Sequence, residues 1–208
     1  MSALASLRKV PGKRSARPYH HGRLRDALLE AAWAIISEEG VGALTLRACA
    51  RRAGVSHAAP ANHFESVAAL VAELAAEGYE RLAAVMDQVA AEMPKELLRA
   101  AGLGYIRFAH DYPEHFRLMS HVRGAEGAST RLDVAAEATK RRLEDALRGA
   151  YLAAHQRELP ASELSARAIL AWSAVHGYSI LRAGPAASSA MPDPDTLLRQ
   201  LGPALIAA

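Results

Sequence analysis

Residues 44–64, LTLRACARRAGVSHAAPANHF, decide the fold of this chain. Thr45 is a good N-cap, because its hydroxyl can accept one of the backbone N–H groups that a first helical turn leaves unpaired. That predicts a short helix from Leu46 to Ala53. Gly54 is placed to end it, since glycine enters the left-handed conformation without a Cβ penalty. Ser56 is expected to cap a second short helix beginning at His57. Pro60 then falls at its fourth position, inside a first turn, where proline is tolerated. Two helices joined by about four residues, with glycine at the bend, form the local signature of a helix-turn-helix. Leu46, Ala50 and Val55 are spaced to pack the pair together, and Phe64 to close its core. His57, Ala58, Asn62 and His63 are left facing outward.

Charge is polarised along the chain. The first 65 residues carry ten Lys and Arg against five carboxylates, a net +5, while the remaining 143 hold 15 basic and 17 acidic side chains. A basic front end favours phosphate through counterion release, which needs no sequence recognition. A solvated basic tail reads the same way by charge alone; the adjacent helix pair favours DNA. Residues 1–18 are basic and acid-free and read as a flexible arm, although the same composition occurs in organelle transit segments.

The 208 residues suffice for one large domain or two small ones. Abundant Ala, Leu, Arg and Glu, with few β-branched or aromatic residues, favour an all-α fold. The single Cys49 forms no internal disulfide and reads as a small buried filler, as suits a reducing compartment. The longest apolar-leaning stretch, 168–181, falls short of the ~20 residues a membrane span needs, and Arg8, Lys9 and Lys13 interrupt any signal-peptide core.

Hydrophobic spacing predicts the remaining helices. The first runs from about Gly22 to Glu39, with Gly40 ending it. After the helix-turn-helix, a long helix runs from Glu65 or Ser66 to about Glu92, stopped by Pro94. It is expected to join the reading head to the body. Further helices are predicted over 95–111, 114–121, 130–157, 162–181 and 195–206, with a loop at 124–129 and a Gly/Pro/Ser linker at 183–194. No strand and no internal repeat is evident.

This pattern resembles the TetR/AcrR family of bacterial transcriptional regulators. The residues that carry the resemblance are Tyr19-His20-His21-Gly22-x-Leu24-Arg25, Leu44-Thr45-Leu46-Arg47, Ala53-Gly54-Val55-Ser56 and His63-Phe64. Residues 171–177, Ala-Trp-Ser-Ala-Val-His-Gly, resemble the signature of a subgroup with a C-terminal Trp-His-Gly motif. The resemblance implies an all-α chain with a helix-turn-helix DNA-binding domain at 19–66, after the arm at 1–18, and a helical ligand-binding and dimerisation domain at 67–208. It implies a cytoplasmic homodimer that binds double-stranded operator DNA. A small-molecule effector would change the separation of the two reading heads and release a palindromic operator. No cofactor is implied.

By motif position, Thr45 and Arg47 fall on phosphates, and Ser56 at a helix start that can also meet one. His57, Ala58, Asn62 and His63 belong to the recognition segment. Asn pairs bidentately with adenine, and the Ala methyl matches a thymine methyl. His20 and His21, with Arg14 and Arg17, read either as a minor-groove arm or as an ordinary polar helix entry. The chain departs from the family at Ala61, commonly aromatic, at Asn62, often basic or aromatic, and at Val67, often a Lys that holds a phosphate. Those departures keep a second reading open: a helical ligand- or protein-binding sensor that has lost specific DNA binding.

In the body, Tyr105, Phe108, Phe116, Met119, Trp172 and His176 stand out as large side chains among Ala and Leu. Small neighbours such as Ala109, Ala171 and Gly177 leave room for a ligand cavity, though the same residues would also serve as plain core. Trp172 and His176 share a helix face. His110, His115 and His121 follow no ligating spacing, so no metal site is expected. There is no P-loop, no dinucleotide fingerprint and no nucleophile with an evident base, which argues against an enzyme.

Overall fold

Four short polar side chains start four of the helices in the computed structural model, which describes residues 21–122, 129–184 and 191–207. Thr45 Oγ1 accepts from Ala48 N at 3.0 Å and Ser66 Oγ from Ala69 N at 3.1 Å. Ser129 Oγ accepts from Leu132 N at 3.1 Å, and Asp193 Oδ1 from the backbone of Asp195 and Thr196, both at 3.0 Å. Each satisfies N–H groups that would otherwise be orphaned. The helices are α1 (His21–Glu39), α2 (Leu46–Arg52), α3 (Val67–Glu92), α4 (Leu97–Asp111), α5 (Pro113–Val122), α6 (Thr130–His155), α7 (Ala161–Ala183) and α8 (Pro194–Leu205). The described residues contain no strand. The expected arm at 1–18, His20 and most of the loop and linker lie outside the described residues, as do the side chains of His21 and His121.

Gly40 and Gly54 end α1 and α2 with φ of +84° and +68°, a region that side-chain-bearing residues rarely enter. Together with residues 55–66, the two helices enclose Leu28, Ile36, Cys49 and Phe64, and α3 completes this core with Leu70 and Leu74. Cys49 is fully buried, and burial pushes its thiol up, so it is inert filler rather than a nucleophile.

The first core does not stop at the head. Leu118 and Val122 of α5 and Leu132 of α6 belong to it as well. An ion-pair chain runs alongside. Glu73 of α3 accepts from Arg25 of α1 and, at 2.9 Å, from Arg131 of α6, while Arg131 also grips Glu80 at 2.7 Å. Burial alone would push the Glu73 carboxyl up, but the hydrogen bonds from Arg131 and Arg25 outweigh it and hold the group below the usual carboxylate range. Trp33 of α1 donates to Glu77 at 2.8 Å and stacks on His115 of α5 at 3.7 Å.

Beyond that junction α3 continues between α4 and α6. Glycines set how closely the helices approach. A Cβ on Gly104 of α4 would lie 2.8 Å from the Cα of Met86 on α3, and one on Gly78 of α3 would lie 2.6 Å from Met119 Sδ on α5. Mid-helix glycine costs about 1 kcal/mol of helix propensity relative to alanine. Here close packing is what that cost secures.

Candidate DNA-reading surface and ligand cavity

The turn after Gly54 differs from the sequence expectation. Residues 57–63 do not form a regular α-helix. Only Ala59–Asn62 is helical, as a 3-10 turn, and it has no side-chain cap. Its first backbone bond runs from Ala59 N to Ser56 O at 3.0 Å. Pro60 is the cause. It has no N–H to bond the Ser56 carbonyl four residues back, so the first i→i−4 bond of an α-helix starting after Ser56 cannot form. Past Pro60 the pattern recovers, and His63 N and Phe64 N both bond Pro60 O at 2.9 Å. Ser56 therefore does not cap a helix, contrary to expectation.

Thr45, Arg47, Ser56, His57, Ala58 and Asn62 are all exposed, and His63 is half-buried. They decorate a firm support. Ala53 N bonds Cys49 O at 2.8 Å, Val55 N bonds Ala50 O at 3.0 Å, and Pro60 and Phe64 are buried beneath. Arg25 of α1 lies over the Phe64 ring at 5.7 Å. Not every basic residue here faces solvent unengaged: Arg52 is held by Glu38, with one contact of 2.7 Å, whereas Arg47 projects from the exposed first turn of α2. The surface thus offers a cation, short polar groups and the amide of Asn62, the residue types that contact phosphate and base edges.

A cavity of about 190 Å³ lies in the body, walled by α3 to α8. Tyr105, Phe116, Met119, Trp172 and His176 line it. Phe108 does not. It is fully buried one turn beyond Tyr105, packed with Leu82, Met86 and Ala109 and 5.7 Å from the Tyr112 ring. Spacing alone could not separate the two, because residues three apart on a helix share a broad face.

Sequence reasoning missed other parts of the wall: Tyr79, Leu82 and Met86 of α3, Gly102 of α4, Thr139, Lys140 and Glu144 of α6, and Leu198 of α8. One signal was available. Gly102 sits inside a helix, where a glycine usually has a packing reason; a Cβ there would come within 2.5 Å of Leu198 Cδ2.

The polar end of the cavity is a three-residue cluster. Trp172 Nε1 donates to Tyr105 Oη at 3.1 Å, and Tyr105 Oη lies 2.9 Å from His176 Nδ1. Phe116 packs on His176 with ring centroids 5.1 Å apart. Elsewhere the lining is apolar apart from Lys140 and Glu144, which face each other at 3.4 Å, Tyr79, and the short hydroxyls of Ser120, Thr139 and Ser165. Among the described residues no group of three or more His, Cys, Asp or Glu is placed to hold a metal. His110 is bonded to Asp111 at 2.9 Å, and His115 is stacked on Trp33.

α7 also bears an exposed apolar stripe, which begins at Ile169, itself one of the residues lining the cavity. Ile169, Leu170, Ile180 and Leu181 are each about half exposed, at 47–54%. They recur with Ala166, Ser173 and Gly177 at helical spacing on one face. No described helix is long and apolar enough to cross a membrane.

Residues 28–74 match the family described as bacterial regulatory proteins, tetR family, and residues 98–204 match the tetracyclin repressor-like C-terminal domain. Among solved structures, the chain is similar to a protein with unknown function from Rhodococcus sp. RHA1, at 31% identity and a TM-score of 0.75, covering 92% of this chain and 97% of that one. It is also similar to the TetR family transcriptional regulator PfmR from Thermus thermophilus, at 19% identity and a TM-score of 0.60, covering 86% and 96%. A third is the fatty acid degradation regulator FadR from Bacillus halodurans, at 14% identity and a TM-score of 0.61, covering 93% and 97%. No curated protein matches the chain. Proteins of the matched family regulate transcription and are not enzymes. With both halves of the chain matched and the whole fold shared, the protein belongs to the TetR family of bacterial transcriptional regulators.

Proposed function

We propose that the protein is a ligand-responsive repressor acting in the bacterial cytoplasm, released from a palindromic operator by a small molecule. In this reading residues 19–66 bind DNA and residues 67–208 hold the ligand and dimerise. Thr45, Arg47 and Ser56 meet phosphates, and His57, Ala58, Asn62 and His63 approach the major groove. Two copies join through α7 and α8, with the stripe from Ile169 to Leu181 at the interface. The cavity takes the effector against Tyr105, Phe116, Met119, Trp172 and His176. Trp172 and His176 on that wall also support placement in the Trp-His-Gly subgroup.

One observation carries the reading. A single helix, α3, places Leu70 and Leu74 in the core of the head and Leu82 and Met86 at the wall of the cavity. Displacement of α3 by a ligand is therefore felt beneath residues 57–64. Two-fold pairing turns that into a changed spacing between heads, which a duplex with fixed half-site separation resists.

A second reading, a sensor without specific DNA binding, draws on Ala61, on Val67 and on the broken helical pattern at 57–63. A mobility-shift titration in rising salt, with the chain's own upstream DNA and an unrelated duplex, separates the two. The repressor reading requires a preference for the upstream DNA and a linear loss of log affinity with log salt. Equal affinity for both duplexes at every salt concentration rejects it. Trp172→Ala is expected to alter the response to effector more than the affinity for DNA; equal loss of both, with helix content intact, speaks against the cavity as the effector site.

A further inference from the structure

The walls of the cavity restrict what it can hold. Among the described residues only two formally charged side chains line it, Lys140 and Glu144, and they lie 3.4 Å apart. Lys140 also faces Glu137 at 3.6 Å, and Glu144 faces Arg148 at 3.8 Å. The ammonium is therefore already engaged by carboxylates. An anionic ligand head would enter low-dielectric space without a dedicated cation, at a marked cost in affinity.

Hydrogen-bonding capacity is concentrated where α4 and α7 meet at the cavity. The Trp172 indole can only donate, so Tyr105 Oη accepts it, and the same hydroxyl shares a hydrogen bond of 2.9 Å with His176 Nδ1. Two of the other polar wall groups are committed locally: Thr139 Oγ1 bonds Ala135 O at 3.0 Å, and Ser120 Oγ bonds Phe116 O at 2.9 Å.

Size narrows the choice further. About 190 Å³ is below the ~300–1,000 Å³ of drug-sized sites. It slightly exceeds the apolar space of ~150 Å³ that takes up benzene in an engineered protein.

We infer that the effector is a small neutral molecule, one ring or its alicyclic equivalent, with a single carbonyl or hydroxyl oxygen seated at Tyr105, Trp172 and His176. This rests on reading the cavity as the effector site. Long acyl chains and carboxylates are excluded by volume and by the paired charges.

Four probes of one skeleton test it on the full chain: acetophenone, 1-phenylethanol, ethylbenzene and benzoate, titrated with ligand-observed NMR. The ketone, the alcohol or both should bind about 3- to 10-fold more tightly than ethylbenzene, the margin of one net hydrogen bond. Benzoate should bind at least ~10-fold more weakly than the better neutral oxygen probe, for want of a cation. His176→Ala and Tyr105→Phe should each shrink the oxygen-over-ethylbenzene ratio toward one while ethylbenzene still binds. Reading that ratio within each variant cancels any general loss of stability, and Tyr105→Phe keeps the ring should His176→Ala fail to fold. The inference is overturned if benzoate binds tightest, if no probe binds, or if the ratio survives both substitutions. The effector reading fails separately: neutral probes that bind without altering the mobility shift leave the ligand class standing and remove the regulatory role.

Discussion

Between Gly54 and Phe64 nearly every decisive contact is local, whereas around the cavity almost none is. The head surface is shaped by backbone bonds such as Val55 to Ala50 and His63 to Pro60, between groups at most five residues apart. Tyr105 instead meets Trp172 and His176 across about seventy residues, and Gly102 receives Leu198 from the last helix. One region displays polar groups to solvent over a dry core; the other hides a few polar groups inside an apolar shell. Sequence pattern speaks directly to the first kind and only indirectly to the second.

The largest expected effect removes the support of the head alone. Phe64 is 3% exposed at the base of the reading surface. Phe64→Ala should cost about 3–5 kcal/mol of stability in denaturant titration. Specific DNA binding should vanish while probe binding in the body persists below the unfolding transition. Loss of probe binding in a still-folded body would show the two regions to be a single unit.

Next comes the surface itself. Asn62→Ala should weaken operator binding by about 1–3 kcal/mol and relax preference at one base pair. Arg47→Ala should weaken all sequences alike and reduce the salt slope by about one. Both variants should sediment as the parent does; a change in assembly state would contradict their assignment to DNA.

A smaller change probes the body. Gly104→Ala gains about 1 kcal/mol of helix propensity but drives a Cβ into the Met86 backbone. Overpacking of this kind costs about 1–3 kcal/mol, so a net loss of up to about 2 kcal/mol is expected, with altered probe affinity and unaltered DNA affinity in the absence of ligand. A net gain in melting temperature would show that α3 and α4 part easily.

The mildest effect concerns the junction between the regions. Burial, followed by the charge of Arg81, lowers the His115 imidazole to about 4. The unfolded chain, with an ordinary histidine near 6.5, binds that proton more readily. Its contribution is therefore complete above about pH 6.5 and is lost as pH falls toward 4. His115→Gln should flatten the stability difference between pH 7 and pH 5. An unchanged difference would mean that His115 is not protected by its stack on Trp33.

How much was legible follows the same division. Thr45, Ser66 and the two glycines at positive φ act on their own neighbours, so the helix starts and stops near the head stand close to where the sequence put them. Pro60 was the exception. It was read as harmless in a first turn, yet with its N–H missing the segment forms only a 3-10 turn. In the body, the aromatic residues were visible by size, but lining and core could not be told apart. Phe108 lies buried one turn from Tyr105, which lines the cavity. Lys140 and Glu144 escaped notice because an ion pair on a polar helix face gives no sign of the cavity it borders.

Footprinting of the chain on its upstream DNA addresses the central claim most directly. The account predicts two protected patches on one face of the duplex, centred one helical turn of about 10–10.5 base pairs apart or a multiple of it. Both patches should weaken together in Arg47→Ala, returning only at higher protein concentration. Uniform protection without patches, or a single patch unaffected by that substitution, would contradict it.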